Sequence, residues 1–170
     1  GNRATISFKL HTPDSYRNGA NVEKKEVPVL RIPDFARFTI QQRIQKPGDP
    51  QKIKLWWHWL QDAANKDLFP ALPELPGPRT YFVQFTWDTE QGIIDAYIDG
   101  NPIRPTGPKA DGWTLEPASK IVIPDSEVRV TDLEVEDHYT PSWRAHYQVP
   151  RDYRFRDPYI FGLEEENATP

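Results

Sequence analysis

YFVQFTWDTEQGIIDAYIDGNP, residues 81–102, alternates in the manner of a β-hairpin. Tyr81, Val83, Phe85 and Trp87 fall on one face and Phe82, Gln84 and Thr86 on the other, because successive strand side chains point to opposite sides. Asp88-Thr89-Glu90-Gln91-Gly92 then supplies turn chemistry, with Gly92 able to take a positive φ. The return strand sets Ile94, Ala96 and Ile98 against Asp95, Tyr97 and Asp99, and Asp99-Gly100 is a second hairpin signal. Apolar spacing of two, with β-branched and aromatic residues, argues against a helix here.

The same period recurs on both sides of this hairpin. Residues 4–10 set Ile6, Phe8 and Leu10 against Thr5, Ser7 and Lys9, and residues 27–32 form a short strand. Residues 37–44 turn Phe38, Ile40 and Ile44 inward and Arg37, Thr39, Gln41 and Arg43 outward; Lys46-Pro47-Gly48-Asp49-Pro50 then makes a turn. Over residues 52–60, Ile53, Leu55, Trp57 and Trp59 share one face, and Lys54, Trp56 and His58 the other. Residues 61–79 lose the rhythm: Pro70, Pro73, Pro76 and Pro78 limit any helix to a turn or two, and the reading is a long ordered loop. Short strands are expected at 113–115 and 120–123. In the strand at 128–137, Val128 and Val130 keep one phase and Leu133 and Val135 the other, a slip that predicts a bulge near Thr131 or Asp132.

These strands predict an all-β fold, a two-sheet antiparallel β-sandwich. Trp57, Phe85, Ile98 and Val135 are expected in its shared interior, with Trp56, Tyr97 and Glu134 turned away from it. The sandwich is assigned to residues 1–141. Residues 142–170 interleave Trp143, Tyr147, Tyr153, Phe155, Tyr159 and Phe161 with Arg and Pro, too aromatic a composition for a disordered tail. They read as an extended C-terminal arm packing on the domain or on a partner.

The 170 residues suffice for one domain with a full core. A net charge of −4, mixed in sign, argues against nucleic acid or an anionic membrane as the main partner, and no apolar run approaches a membrane span. With 18 Pro, about twice ordinary usage, the composition suits turns and strand edges. The absence of Cys excludes disulfides and thiolate metal sites, and fits a bacterial cell-envelope or cytoplasmic protein better than an animal extracellular module. The absence of Met leads to the expectation of a processed chain or an excised domain.

Phe85-Thr86-Trp87-Asp88, a turn, and Ala96-Tyr97-Ile98-Asp99-Gly100 together resemble the TWD…LYVDG hairpin of the laminin-G-like, concanavalin A-like jelly roll. Residues 130–137 are similar to that family's closing strand and residues 4–8 to its opening one. The resemblance covers residues 4 to about 141. It implies a jelly-roll sandwich and a secreted binding module for sugars or proteins, sometimes with calcium; some relatives are glycosidases or polysaccharide lyases. These motifs are mostly core and turn chemistry, so they speak to fold more than to function.

Three constellations are candidates for chemistry. Trp56, His58 and Lys54 form an aromatic face with polar neighbours, as sugar stacking requires; Gln84, Asp95 and Tyr97 join that surface if their strands are neighbours. The blander alternative buries these residues under the Pro-rich loop or the aromatic arm. Asp132, Glu134 and Glu136 alternate on one strand face, with His138 continuing the phase. Carboxylates two residues apart sit about 6.5–7 Å apart, within the range of glycoside-cleaving pairs. The Glu-x-Asp-x-x-Glu pattern of laminarinase-like relatives is absent, however, and a solvated face paired with Lys or Arg is the simpler account. Asp88, Asp99, Asp111 and Asp125 lie in turns where calcium could bind, although Asp is also an ordinary turn residue. His11, His58, His138 and His146 lack paired ligand spacing, which argues against zinc. Asn167-Ala168-Thr169 matches a glycosylation sequon in what reads as a frayed end.

The expectation is a non-catalytic module, extracytoplasmic, with a glycan as ligand and no cofactor beyond calcium. The alternatives are an accessory subunit docked on a partner protein through its arm, and a polysaccharide-cleaving enzyme.

Overall fold

The computed structural model describes residues 3–12, 27–33, 35–43, 52–59, 75–76, 78–103, 120–126 and 128–154. Its elements are β1 (Arg3–His11), β2 (Val27–Ile32), β3 (Ala36–Arg43), β4 (Lys52–Trp59), β5 (Leu75–Pro76), β6 (Thr80–Asp88), β7 (Ile93–Ile98), β8 (Asn101–Ile103), β9 (Arg129–Glu136), and the short helices α1 (Ser142–Gln148) and α2 (Arg151–Arg154). The strands form two antiparallel sheets. Sheet A runs β8-β7-β6-β1-β9 and sheet B runs β2-β3-β4-β5. The fold is an all-β, two-sheet antiparallel sandwich.

Residues 81–102 form the expected hairpin, β6 pairing with β7 from Val83↔Ile98 to Asp88↔Ile93. Gly92 takes φ 69° in the first turn. Asp99 and Gly100, at φ 52° and 82°, make the second a two-residue loop with both φ angles positive, the geometry for which Asp-Gly is suited. Ile98 therefore pairs at once with Asn101, and β8 begins where the sequence suggested only a turn.

The alternation puts one face of each strand into the core. Ile6, Phe8, Leu10, Val83, Phe85, Trp87, Ala96 and Ile98 are buried from sheet A, and Leu30, Ile32, Phe38, Ile40 and Leu55 from sheet B. Aromatic rings bridge the layers: Phe38 lies 5.1 Å from Phe85 and 5.9 Å from Phe8, and Phe35 lies 5.1 Å from Trp87. These separations favour tilted ring pairs, which add to the area term.

The bulge in β9 falls where the phase slip put it. Lys9 pairs with Thr131 and Ser7 with Glu134, so the register shifts between them, and Asp132 takes φ 54°. A second bulge, unexpected from sequence, lies in β2, where Pro28 pairs with Thr39 but Leu30 with Phe38.

Several expectations need correction. Val135 occupies an inward register position opposite Ile6 yet is 58% exposed. Its strand is the edge of sheet A, and the layers gape there around a cavity of about 350 Å³ lined by Ile6, Ile32, Trp87, Ile121 and Leu133. Residues 120–123 make a single bridge, Val122 to Arg31, rather than a strand. Within the Pro-rich stretch, Leu75–Pro76 forms a short edge strand on β4, a place where proline's missing N–H does least harm. The described part of the arm is helical, not extended. Trp57 sits at an inward register position opposite Phe38; its side chain, Ile44 and residues 113–115 lie outside the described residues.

Candidate functional site

The two groups of candidate ligand-binding residues lie in different sheets. Trp56, His58 and Lys54 belong to β4, in sheet B, whereas Gln84 lies on β6 and Asp95 and Tyr97 on β7, in sheet A. Their outward faces are on opposite sides of the sandwich. The condition for one shared surface, neighbouring strands, is not met.

The outward face of sheet A is roofed by the chain that follows β9. Thr5 Oγ1 lies 2.8 Å from Thr86 Oγ1 and 2.7 Å from Thr140 Oγ1, and donates to the His138 carbonyl at 2.7 Å. The Thr140 N–H donates to Thr86 Oγ1 at 2.8 Å, and all three threonines are buried. The Tyr97 hydroxyl donates to the Thr140 carbonyl at 3.1 Å, and Tyr139 donates to Asp95 Oδ2. Burial, reinforced by the Asp95 charge, pushes the Tyr97 phenol up to about 12. Burial and the bond to Asp95 likewise raise Tyr139, so both remain proton donors across the ordinary range. Further along, Gln84 Nε2 donates to Gln148 Oε1 at 2.9 Å. Asp95 and Tyr97 are therefore occupied in holding the segment that leads into the arm, and Gln84 in holding the arm itself.

The arm packs tightly over Gly100. A Cβ there would come 2.6 Å from Val149 Cγ2. Gly100→Ala combines that overlap with a positive φ that L-residues resist, and should destabilise the chain by more than about 1 kcal/mol. Hydrogen exchange should show the loss first at residues 142–149; unchanged protection there would contradict the close contact.

The acidic strand face is largely engaged. Asp132 sits in the bulge rather than in simple alternation with Glu134, and its carboxylate lies 2.9 Å from Lys9 Nζ. That hydrogen bond and charge hold the Lys9 ammonium above its ordinary value. Glu134 is exposed. Glu136 Oε2 lies 2.8 Å from His138 Nε2, near enough for an ion pair when the imidazole is protonated but at an angle outside hydrogen-bond range. His11 is clasped between Thr80 Oγ1 at 3.0 Å and Thr131 Oγ1 at 2.6 Å; burial, then Arg129 and Lys9, lower its pKa and favour the neutral ring.

The calcium candidates are dispersed. Asp88 Oδ1 accepts from the backbone N–H groups of Glu90 and Gln91, and its Oδ2 lies 3.0 Å from Arg3 Nε, closing the first turn. Asp99 Oδ1 accepts from the Phe82 N–H at the other end of β7. Asp125 is exposed, and Asp111 lies outside the described residues. Among the described residues, no three His, Asp or Glu side chains gather as metal ligands.

The outward face of sheet B differs in character. Buried Leu55 fixes the opposite side of β4 as outward, so Trp56 faces away from the core; it is half-buried, opposite Thr39. Beside Thr39 lies a cleft of about 430 Å³ lined also by Pro28, Arg31, Arg37, Phe38 and Pro124. Arg31 pairs directly with Arg37, and both are exposed. His58 and Lys54 hold outward register positions opposite Arg37 and Gln41; their side chains lie outside the described residues. Sequence reasoning missed Arg31, because the bulge at Val29 breaks the alternation that would have assigned it a face.

No protein-family model matches the sequence, and no curated protein matches it. Among solved structures, the fold is similar to the native heptameric SAP-like pentraxin from Limulus polyphemus, with a TM-score of 0.59 and 13% identity over 96% of this chain and 77% of that one. It is similar to the binding domain of Paraclostridial mosquitocidal protein 1, with a TM-score of 0.52 and 11% identity over 86% of this chain and 36% of that one. For the botulinum neurotoxin type G receptor-binding domain the TM-score is 0.51, with 11% identity over 87% of this chain and 38% of that one. This chain thus spans well under half the length of the last two. At such identities the likeness shows the fold alone, a two-sheet antiparallel β-sandwich.

Proposed function

We propose that this chain is a non-catalytic, extracytoplasmic binding module whose ligand is a carbohydrate, held on the outward face of sheet B around Trp56. The carrying observation is the outward-facing, half-buried Trp56 beside a cleft that combines apolar walls with Thr39 and two guanidinium groups. An aromatic face stacks on the C–H side of a sugar ring while neighbouring donors bind its hydroxyls. Two of the similar folds are binding domains, one the receptor-binding domain of a neurotoxin and the other the binding domain of a mosquitocidal protein, which supports a binding role without naming a ligand. Trp56→Ala should weaken retention on glycan arrays and insoluble polysaccharides at least tenfold and leave thermal unfolding intact. Unchanged retention, or no retention of any glycan by the parent chain, would sink the proposal.

A second reading has its own observation. Trp143 and Tyr147, four residues apart on one face of α1, are 67% and 71% exposed on the packed arm. That pair suits an accessory subunit docked on a partner protein. This reading expects a chain without glycan affinity that travels as a complex in native extract.

A further inference from the structure

We infer that the ligand of this face is an acidic polysaccharide, its anionic groups held by Arg31 and Arg37; this deepens the carbohydrate reading and rests on it. Strands β2, β3 and β4 contain Arg31, Arg37, Arg43, Lys52 and Lys54 and no Asp or Glu. All five occupy outward register positions: Arg31 opposite Arg37, Lys54 opposite Gln41, and Lys52 opposite Arg43. The whole chain carries a net charge of −4, so this concentration runs against its overall composition. The strands of sheet A have the reverse bias, with Arg3, Lys9 and Arg129 against Asp88, Asp95, Asp132, Glu134 and Glu136.

The Arg31–Arg37 pair is the sharpest feature. Like charges directly opposite on neighbouring strands repel, a cost to the free fold. Among the described residues, no carboxylate pairs with either guanidinium. An anion seated between them would relieve that repulsion, and the planar guanidinium fork suits a carboxylate or sulfate. The cleft they line is also walled by Pro28 and Pro124, so an anionic group there comes with apolar surface for a ring.

The test uses the full chain against polygalacturonate and alginate, each compared with its carboxyl-esterified form, against heparin compared with its desulfated, carboxyl-reduced form, and against neutral glucans and xylans. At least one acidic chain should bind at least tenfold more tightly than its neutralised form. Raising NaCl from about 50 to about 500 mM should weaken that binding by a similar factor, because exposed charges are screened. Arg31→Gln/Arg37→Gln should lose at least 30-fold for the acidic chain with unfolding unchanged, and each single variant part of that. Binding that ignores the double substitution, or equal affinity for single-stranded DNA, overturns the inference. Trp56-dependent binding of neutral glycans with no acidic preference overturns it while leaving the carbohydrate reading standing. Failure to bind any glycan, acidic or neutral, overturns both.

Discussion

Trp87→Ala should lower the unfolding free energy by about 3–5 kcal/mol, the range for removing a large buried aromatic. Trp87 is fully buried, and its ring lies 5.1 Å from that of Phe35 across the sheet interface. Its backbone is fixed on both sides, paired with Ala4 and with Ile94, so the surrounding strands cannot easily close over the space. It also lines the cavity at the β9 margin, and truncation would enlarge an existing void rather than open a small new one. The cost rises with the volume left unfilled. Domains of this size have only about 5–15 kcal/mol in hand, so the variant should be close to unfolding at 37 °C. Denaturant titration followed by far-ultraviolet circular dichroism measures this without relying on the indole. A loss under about 1.5 kcal/mol would show that Trp87 does not clamp the two layers.

Thr86→Val should cost about 1–3 kcal/mol although it hardly changes the volume. The hydroxyl accepts from the Thr140 N–H at 2.8 Å, lies 2.8 Å from Thr5 Oγ1 and donates to the Ala4 carbonyl at 3.1 Å. Valine leaves the Thr140 N–H buried without its acceptor, and an orphaned buried donor costs more than the net worth of the bond it made. The three hydroxyls act as one network, so Thr5→Val and Thr86→Val should not add. A double-mutant cycle should return a coupling of about 0.5–3 kcal/mol. Strict additivity would mean that the threonines merely fill space beneath the arm.

The core was legible because period two assigns faces without knowing which strands are neighbours. Phe85, Trp87, Ile98, Phe8 and Phe38 all went to the interior on that rule alone. The Asp99-Gly100 turn and the β9 bulge were legible too, the first from chemistry and the second from a phase slip between Val130 and Leu133. What the period cannot supply is adjacency. Gln84 and Trp56 are equivalent in pattern, yet one lies beneath the arm and the other on the far side of the molecule. Val135 shows the same limit, since an inward register position buries a side chain only where the opposite layer reaches it. The helix at 142–148 was hidden by its length and by the flanking Pro141 and Pro150, although Trp143 and Tyr147 do carry a four-residue spacing. The arginine pair needed both the β2 bulge and the β2–β3 register, and neither follows from residue type.

The opening strand has an unusual place in the sheet order: β1 is held by β6 on one side and β9 on the other. Both partners are synthesised long after it, and Thr140, which ties down its outer side, comes later still. Sequence-distant pairing must meet its loop-closure entropy before any contact rewards it. During synthesis β1 therefore waits with both edges bare until β6 and then β9 follow, while sheet B, built from consecutive strands, is free to assemble. The closing of sheet A on both sides of β1 therefore waits for residues 129–140, and lasting protection of residues 3–11 from hydrogen exchange is expected only once they have joined.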